Sequence, residues 1–104
     1  MGIDENREAL KKYRILISKI SRLKNMILMC PENEKQYSNE IKDCIAARDD
    51  IEKAINKVDG GILTEILSLK YMCGKTLEEF ALDICYSKRQ TERLHLKALS
   101  SIKV

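Results

Sequence analysis

The last eighteen residues of this 104-residue chain carry the side chains expected of an anion-binding surface. Residues 87–104 hold five basic side chains against one acidic side chain, a local net charge of +4. Lysine and arginine attract phosphate, and the arginine fork can also donate two hydrogen bonds to guanine O6 and N7. The pattern predicts contact with double-stranded DNA, while a solvated basic helix face without a partner is the plainer interpretation.

A helix that begins at Ser87 would bring these side chains onto one surface. Ser87-Lys88-Arg89-Gln90 is a capping box, in which the serine and glutamine side chains bond to the backbone at the helix start. Apolar residues at helical spacing after it are expected to point inward. This leaves a predicted recognition helix over residues 87–100 whose DNA-binding residues are Ser87, Lys88, Arg89, Gln90, Glu92, Arg93 and Lys97.

A shorter helix is predicted immediately before the recognition helix. Thr76-Leu77-Glu78-Glu79 is a second capping box, and its helix must end near Cys85 because the next capping box follows at once. Two helices joined by a three-residue turn have the geometry of helix-turn-helix DNA binding. Ala81 takes the small position where the helices cross, and Cys85 stands where glycine is common. The five apolar positions of the motif hold Phe80, Ile84, Tyr86, Leu94 and, as a departure, Thr91.

Two long amphipathic segments precede this unit. Apolar residues recur in alternate steps of four and three over residues 4–30 and again over 34–58, where only Arg48 interrupts the row. Pro31-Glu32-Asn33 suits a tight return, so the two segments predict an antiparallel, coiled-coil-like hairpin. Asp59-Gly60-Gly61 ends the hairpin, and a third helix starting at Ile62 is expected to close at Gly74.

The predicted fold is therefore all-α, with a helical hairpin over residues 1–59 and a three-helix helix-turn-helix unit over residues 60–104. Composition agrees, since the chain is 44% hydrophobic and 34% charged but only 5% aromatic, which argues against a β-sandwich or barrel. A chain of this length is too short for an enzyme with a separate cofactor domain.

The surface of the hairpin predicts a homodimer. Leu10, Ile17, Met26 and Met29 widen the apolar stripe of the first segment, so the C-terminal unit or a second copy must cover them. Residues 7–24 hold seven basic side chains and one acidic one, whereas residues 32–59 hold eight acidic and five basic side chains. This complementarity fits antiparallel pairing of the two segments as well as it fits a binding role for the basic one.

No catalytic, cofactor or metal site is predicted, and we do not expect an enzyme. The four cysteines lack any CxxC spacing and are expected to be small buried residues: Cys30, Cys44, Cys73 and Cys85. A zinc site using Cys73, Cys85 and His95 would lack a fourth ligand. His95 is the one side chain with an ordinary pKa near neutrality, and packing or phosphate contact suits it better than catalysis.

The termini and hydropathy predict a cytoplasmic protein without membrane contact. The chain does not start with a basic segment followed by an apolar run, and no window of about 18 apolar residues occurs in it.

Residues 66–99 resemble region four of bacterial sigma factors and, more closely, the small phage and prophage regulators of the ArpU and RinA type. The resemblance rests on G-K-T-L-E-E-F-A at residues 74–81, Y-S-K-R-Q at 86–90 and R-L-H-L-K-A-L at 93–99. It implies a sequence-specific regulator of transcription, with the predicted recognition helix in the major groove. RNA polymerase or another host protein is a further partner that this resemblance leaves open.

Two other functions are compatible with the sequence. Small terminase subunits, which package phage DNA, also combine a helix-turn-helix with a coiled-coil arm, and a ring of many copies would identify that role. A phage-encoded inhibitor could instead use the helical hairpin to bind a protein, in a complex that forms without DNA.

Overall fold

The computed structural model describes residues 2–58 and 60–103. Within these residues the chain forms five α-helices: α1 (Ile3–Met29), α2 (Glu34–Asn56), α3 (Gly61–Leu67), α4 (Leu77–Ile84) and α5 (Lys88–Ser101). The structure is 86% helical, which confirms the predicted all-α fold. Asp59, at the predicted boundary between the two units, lies outside the described residues.

Helices α1 and α2 form the predicted antiparallel hairpin. A 3-10 turn over Pro31–Asn33 reverses the chain, and the half of the hairpin next to this turn buries Ile20, Leu23 and Cys44. In the other half, the hydroxyl of Tyr13 donates to Glu52 Oε1 at 2.6 Å. Burial is the main cause that raises the pKa of Tyr13 to about 12, and the hydrogen bond to Glu52 is the second cause. The phenol therefore keeps its proton at neutral pH.

None of the described helices has an apolar stretch long enough to cross a membrane.

The C-terminal unit packs against the end of the hairpin where α1 begins and α2 ends. Leu10 of α1 and Ile55 of α2 are fully buried in the same core as Ile66, Phe80 and Leu99. The hairpin and the C-terminal unit therefore share apolar burial, and this shared packing determines how α5 is oriented relative to the hairpin.

The apolar stripe of α1 is covered only in part. Leu10 is fully buried beneath the C-terminal unit, and Met26 packs partly buried against the core next to the turn. Ile17 and Met29 stay 38% and 82% exposed. The C-terminal unit therefore accounts for one of the four residues, and the homodimer stays a prediction.

Helix α3 continues as a π-helical segment over Ser68–Met72, which the sequence did not predict. Tyr71 in this segment is buried in the shared core. Gly74 then ends it as predicted, with a left-handed φ of 78°. Arg14 of α1 donates to the Met72 carbonyl at 3.2 Å, and a Cβ added at Gly74 would lie 2.9 Å from Arg14 Nη1. The left-handed backbone favours glycine at this position, and a larger residue would also require the flexible end of the Arg14 side chain to shift.

Candidate nucleic-acid interface

Helix α4 begins at the predicted capping box. The backbone N–H of Glu79 donates to Thr76 Oγ1 at 3.1 Å, and the N–H of Thr76 donates back to Glu79 Oε1 at 3.4 Å. Phe80 and Ala81 are the buried residues of this eight-residue helix. The small Ala81 side chain lets α5 approach α4 closely, as the predicted spacing requires.

The turn between α4 and α5 depends on a cysteine in an unusual conformation. Cys85 has a φ of 57° and a ψ of 35°, the left-handed region that glycine usually occupies. The N–H of Tyr86 donates to the Ala81 carbonyl at 3.0 Å, which completes a Schellman motif at the end of α4. The helix-turn-helix therefore has its tight turn without a glycine, at a conformational cost of about 1 kcal/mol.

Helix α5 begins at the second predicted capping box. The N–H of Gln90 donates to Ser87 Oγ at 3.1 Å, and the N–H of Ser87 donates to Gln90 Oε1 at 3.0 Å. Thr91 is fully buried, and its hydroxyl donates to the Ser87 carbonyl at 3.0 Å. This internal bond explains how a threonine fills an apolar position of the motif, because its only polar group is satisfied within the helix.

All seven predicted DNA-binding residues are exposed on α5 and its N-cap, and they are Ser87, Lys88, Arg89, Gln90, Glu92, Arg93 and Lys97. Their surroundings differ. Lys88 Nζ lies 3.5 Å from Glu78 Oε1 of α4. Among residues 2–58 and 60–103, neither Arg89, Arg93 nor Lys97 forms an ion pair. These three cations follow one another every four residues, so they form a single row along the exposed face.

The start of α5 differs electrostatically from the starts of α1, α2 and α4. Acidic residues occupy the first turn of each of those three helices, whereas α5 has none there and carries Lys88 and Arg89. The N-terminal end of a helix is partially positive, so each cation placed there costs about 0.3–1 kcal/mol. A bound phosphate would relieve this repulsion and accept from backbone N–H groups that have no partner within the helix.

Sequence reasoning missed Leu96, which is 45% exposed. By helical spacing it lies beside Arg93 and Arg89 on the same face, so an apolar side chain stands among the cations. The sequence does contain a sign of this exposure, because Leu96 does not fall at the helical spacing of the inward-pointing apolar residues of α5. Tyr86 occupies an apolar position of the motif, where burial is expected, but its side chain is 41% exposed at the turn.

His95 is a packing residue on the opposite side of α5. Its Nε2 lies 2.7 Å from the Tyr71 hydroxyl, and the two rings stack with centroids 5.7 Å apart. Burial, with added repulsion from Lys70 and Arg7, lowers the pKa of His95 to about 4. The imidazole is therefore neutral at physiological pH, and it lies in the core away from the exposed basic row.

The cysteines do not all follow the prediction of small buried residues. Cys44 is buried and Cys30 is half-buried, but Cys73 and Cys85 are exposed because both lie where a helix ends. Nowhere in the described part of the chain do three His, Cys, Asp or Glu side chains converge as metal ligands would.

Comparison of this chain with protein-family models, curated proteins and solved structures gives no match. The geometry of α4, its turn and α5 is therefore the observation on which a function can be based.

Proposed function

We propose that this protein binds duplex DNA in a sequence-specific manner and regulates transcription, with α5 in the major groove. The observation that carries this proposal is the row of Arg89, Arg93 and Lys97, exposed and without ion-pair partners among the described residues, on a helix that begins with cations. Lys88 on the same helix lies beside Glu78 of α4, whereas the charges of these three residues stay available to an anionic partner.

Each part of α5 has a distinct role in this proposal. The N–H groups of the first turn and Lys88 hold a phosphate at the edge of the groove, where they orient the helix without reading sequence. Arg89 and Arg93 reach base edges, and a bidentate contact to guanine is the commonest specific contact of arginine. Leu96 provides an apolar contact of the kind that recognises a thymine methyl group. Lys97 lies farther along the helix and contacts the backbone.

The phage or prophage type of this regulator is supported by the resemblance of residues 66–99 to region four of sigma factors and to the ArpU and RinA regulators. Both capping boxes of that resemblance form in the structure. We include a homodimer in the proposal, because two copies can read two half-sites about 34 Å apart, or a multiple of that spacing.

The test is selection of bound sequences from a pool of random duplex DNA, carried out at two salt concentrations. Enrichment of one motif at both concentrations is the expected result, because contacts to base edges are retained when counterions weaken the phosphate contacts. Binding that shows no enrichment and disappears at the higher salt concentration would reduce the interaction to electrostatics and overturn the proposal.

A second candidate function is binding of a protein, such as RNA polymerase or another host protein, by the turn end of the hairpin. Leu28 and Met29 are 79% and 82% exposed there, far from the C-terminal unit. Contact with a partner protein would remove these two apolar side chains from water. Co-purification of a defined partner that persists after nuclease treatment, and is lost in a Leu28→Ser, Met29→Ser variant, would support this function.

A further inference from the structure

A groove of about 740 Å³ runs along the hairpin between α1 and α2. Its walls are lined on the α1 side by Lys12, Ile15 and Lys19, among others, and on the α2 side by Ala47, Asp50 and Ala54. Ile15 is 66% exposed beside it. On the helical wheel of α1, Lys19 lies about 180° from Leu10, which the C-terminal unit covers. Lys103, at the end of the C-terminal unit, also lines the groove, so the groove begins beside that unit and extends along the hairpin as far as Lys19 and Ala47.

The lining residues continue as a second row on each helix, parallel to the hairpin seam. On α1 the row keeps steps of three and four and reads Lys12, Ile15, Lys19, Arg22 and Met26. On α2 the matching row reads Glu40, Asp43, Ala47, Asp50 and Ala54. A second heptad row beside the first is the pattern of helices that pack against two neighbours.

The two rows are complementary in charge and in size. The α1 row carries three cations and the bulky Ile15, while the α2 row carries three carboxylates and small alanines. An α1 row laid on an α2 row brings the cations of one copy within about one helical turn of the carboxylates of the other. An α1 row laid on another α1 row would instead oppose Lys12 and Lys19 to cations of the same kind.

We propose that a second copy of this chain covers the groove, with α1 of each copy packed antiparallel on α2 of the other in a four-helix bundle. A two-fold axis parallel to the hairpin produces this arrangement. An axis perpendicular to the helices within the interface would oppose like rows, which the charges disfavour.

The register follows from the hairpin itself. The Tyr13–Glu52 hydrogen bond and the packing of Leu23 with Cys44 show which residues of α1 and α2 are level with each other. A two-fold axis parallel to the hairpin keeps every residue at its own height. Lys19 then comes level with Ala47 of the second copy, about one helical turn from Asp50, which the lysine side chain can reach.

This arrangement has a consequence that rests on the proposed function. Because the axis is parallel to the hairpin, both C-terminal units lie at the same end of the bundle. Both α5 helices can then face one DNA duplex and read two half-sites, which copies packed in the opposite direction could not do.

Sedimentation equilibrium of the full chain at tens of micromolar tests the interface without DNA. The expected mass is twice the 12.0 kDa of the chain. Lys19→Glu and Asp50→Lys are each expected to raise the dimer dissociation constant by at least about tenfold, because each places like charges together at two symmetric contacts. The double variant restores opposite charges and is expected to recover most of the affinity.

Lys24→Glu is the matched control, because it makes the same charge change on an exposed position of α1 outside the groove and is expected to leave the dimer intact. Circular dichroism confirms that each variant is folded. A monomeric wild-type chain, a double variant as weak as the single variants, or tighter association of Lys19→Glu would each overturn the inference. A ring of many copies would overturn the dimer and favour DNA packaging.

A charge-dependent dimer that enriches no DNA sequence keeps this interface and removes the proposed regulator. A monomer that enriches a sequence keeps DNA binding and removes the interface.

Discussion

The side-chain amide of Asn6, near the start of α1, donates to the carbonyl of Leu99 at 2.8 Å, across 93 residues of sequence. The same nitrogen donates to the Ile102 carbonyl at 3.2 Å. Asn6 thus satisfies carbonyl groups at the end of α5 that have no partner within the helix. It is 2% exposed, so the first helix of the hairpin holds the end of the proposed recognition helix by a buried polar contact.

We expect Asn6→Asp to lower the free energy of unfolding by about 2–3 kcal/mol. The ionised carboxylate cannot donate, and it would face two carbonyl oxygens in a buried site. Urea unfolding at pH 7 measures the change. Asn25→Asp, at an exposed position of the same helix, is the control and should stay within about 0.5 kcal/mol of wild type. An Asn6→Asp variant as stable as this control would contradict the role of the amide.

The stability of the fold should depend on His95 between pH 6.5 and pH 4. The pKa of His95 is about 4 in the folded chain and about 6.5 when unfolded, so the unfolded state binds more protons in this window. Its contribution of about 3 kcal/mol is therefore present above pH 6.5 and is lost as the pH falls towards 4.

His95→Gln isolates this effect from the titration of the carboxylates. We expect the difference in unfolding free energy between wild type and variant to shrink as the pH falls from 6.5 to 4, measured by urea unfolding at several pH values. A difference that stays constant across the window would show that His95 does not titrate as its burial requires.

Cys85→Gly is expected to stabilise the protein by about 0.5–1 kcal/mol. Cys85 holds a left-handed conformation that glycine adopts without steric cost. For a domain of this size the gain corresponds to an increase of about 2–6 °C in melting temperature. Cys85→Ala removes the thiol but keeps the Cβ, so it should not show the gain. Equal melting temperatures for the two variants would argue against strain at the turn.

Arg89→Ala is expected to weaken binding to the selected DNA site by about 1–3 kcal/mol, if Arg89 reads a base. Titration on the selected duplex and on a random duplex measures the loss. A loss confined to the selected site identifies a base contact, whereas equal losses on both would make Arg89 a phosphate contact. Lys42→Ala, which removes an exposed charge from α2, should change neither affinity appreciably.

Lys97→Ala should weaken binding to every duplex by a similar factor. A lost phosphate contact lowers the slope of log affinity against log salt concentration by about one. The measurement is a set of titrations over a range of salt concentrations. An unchanged slope together with a site-specific loss would place Lys97 at a base instead.

The sequence by itself determined the elements whose stabilising contacts lie within a few residues. The capping boxes at Thr76 and Ser87 are confirmed, since their predicted hydrogen bonds form. They could be predicted because each involves only a residue and a second residue three positions later. The return at Pro31 and the heptad rows of the hairpin are confirmed for the same reason, since local backbone preference and helical periodicity define them. The exposed face of α5 follows from that periodicity as well.

Only the tertiary structure decided the features that depend on distant partners. Leu10 is buried because the C-terminal unit covers it, whereas Met29 has no such neighbour among the described residues. Asn6 and His95 are polar residues whose burial is stabilised by partners 93 and 24 residues away, at distances that no local pattern encodes. Burial depends on which surfaces meet when the helices pack, and a side chain's own type and spacing cannot specify the surface that will cover it.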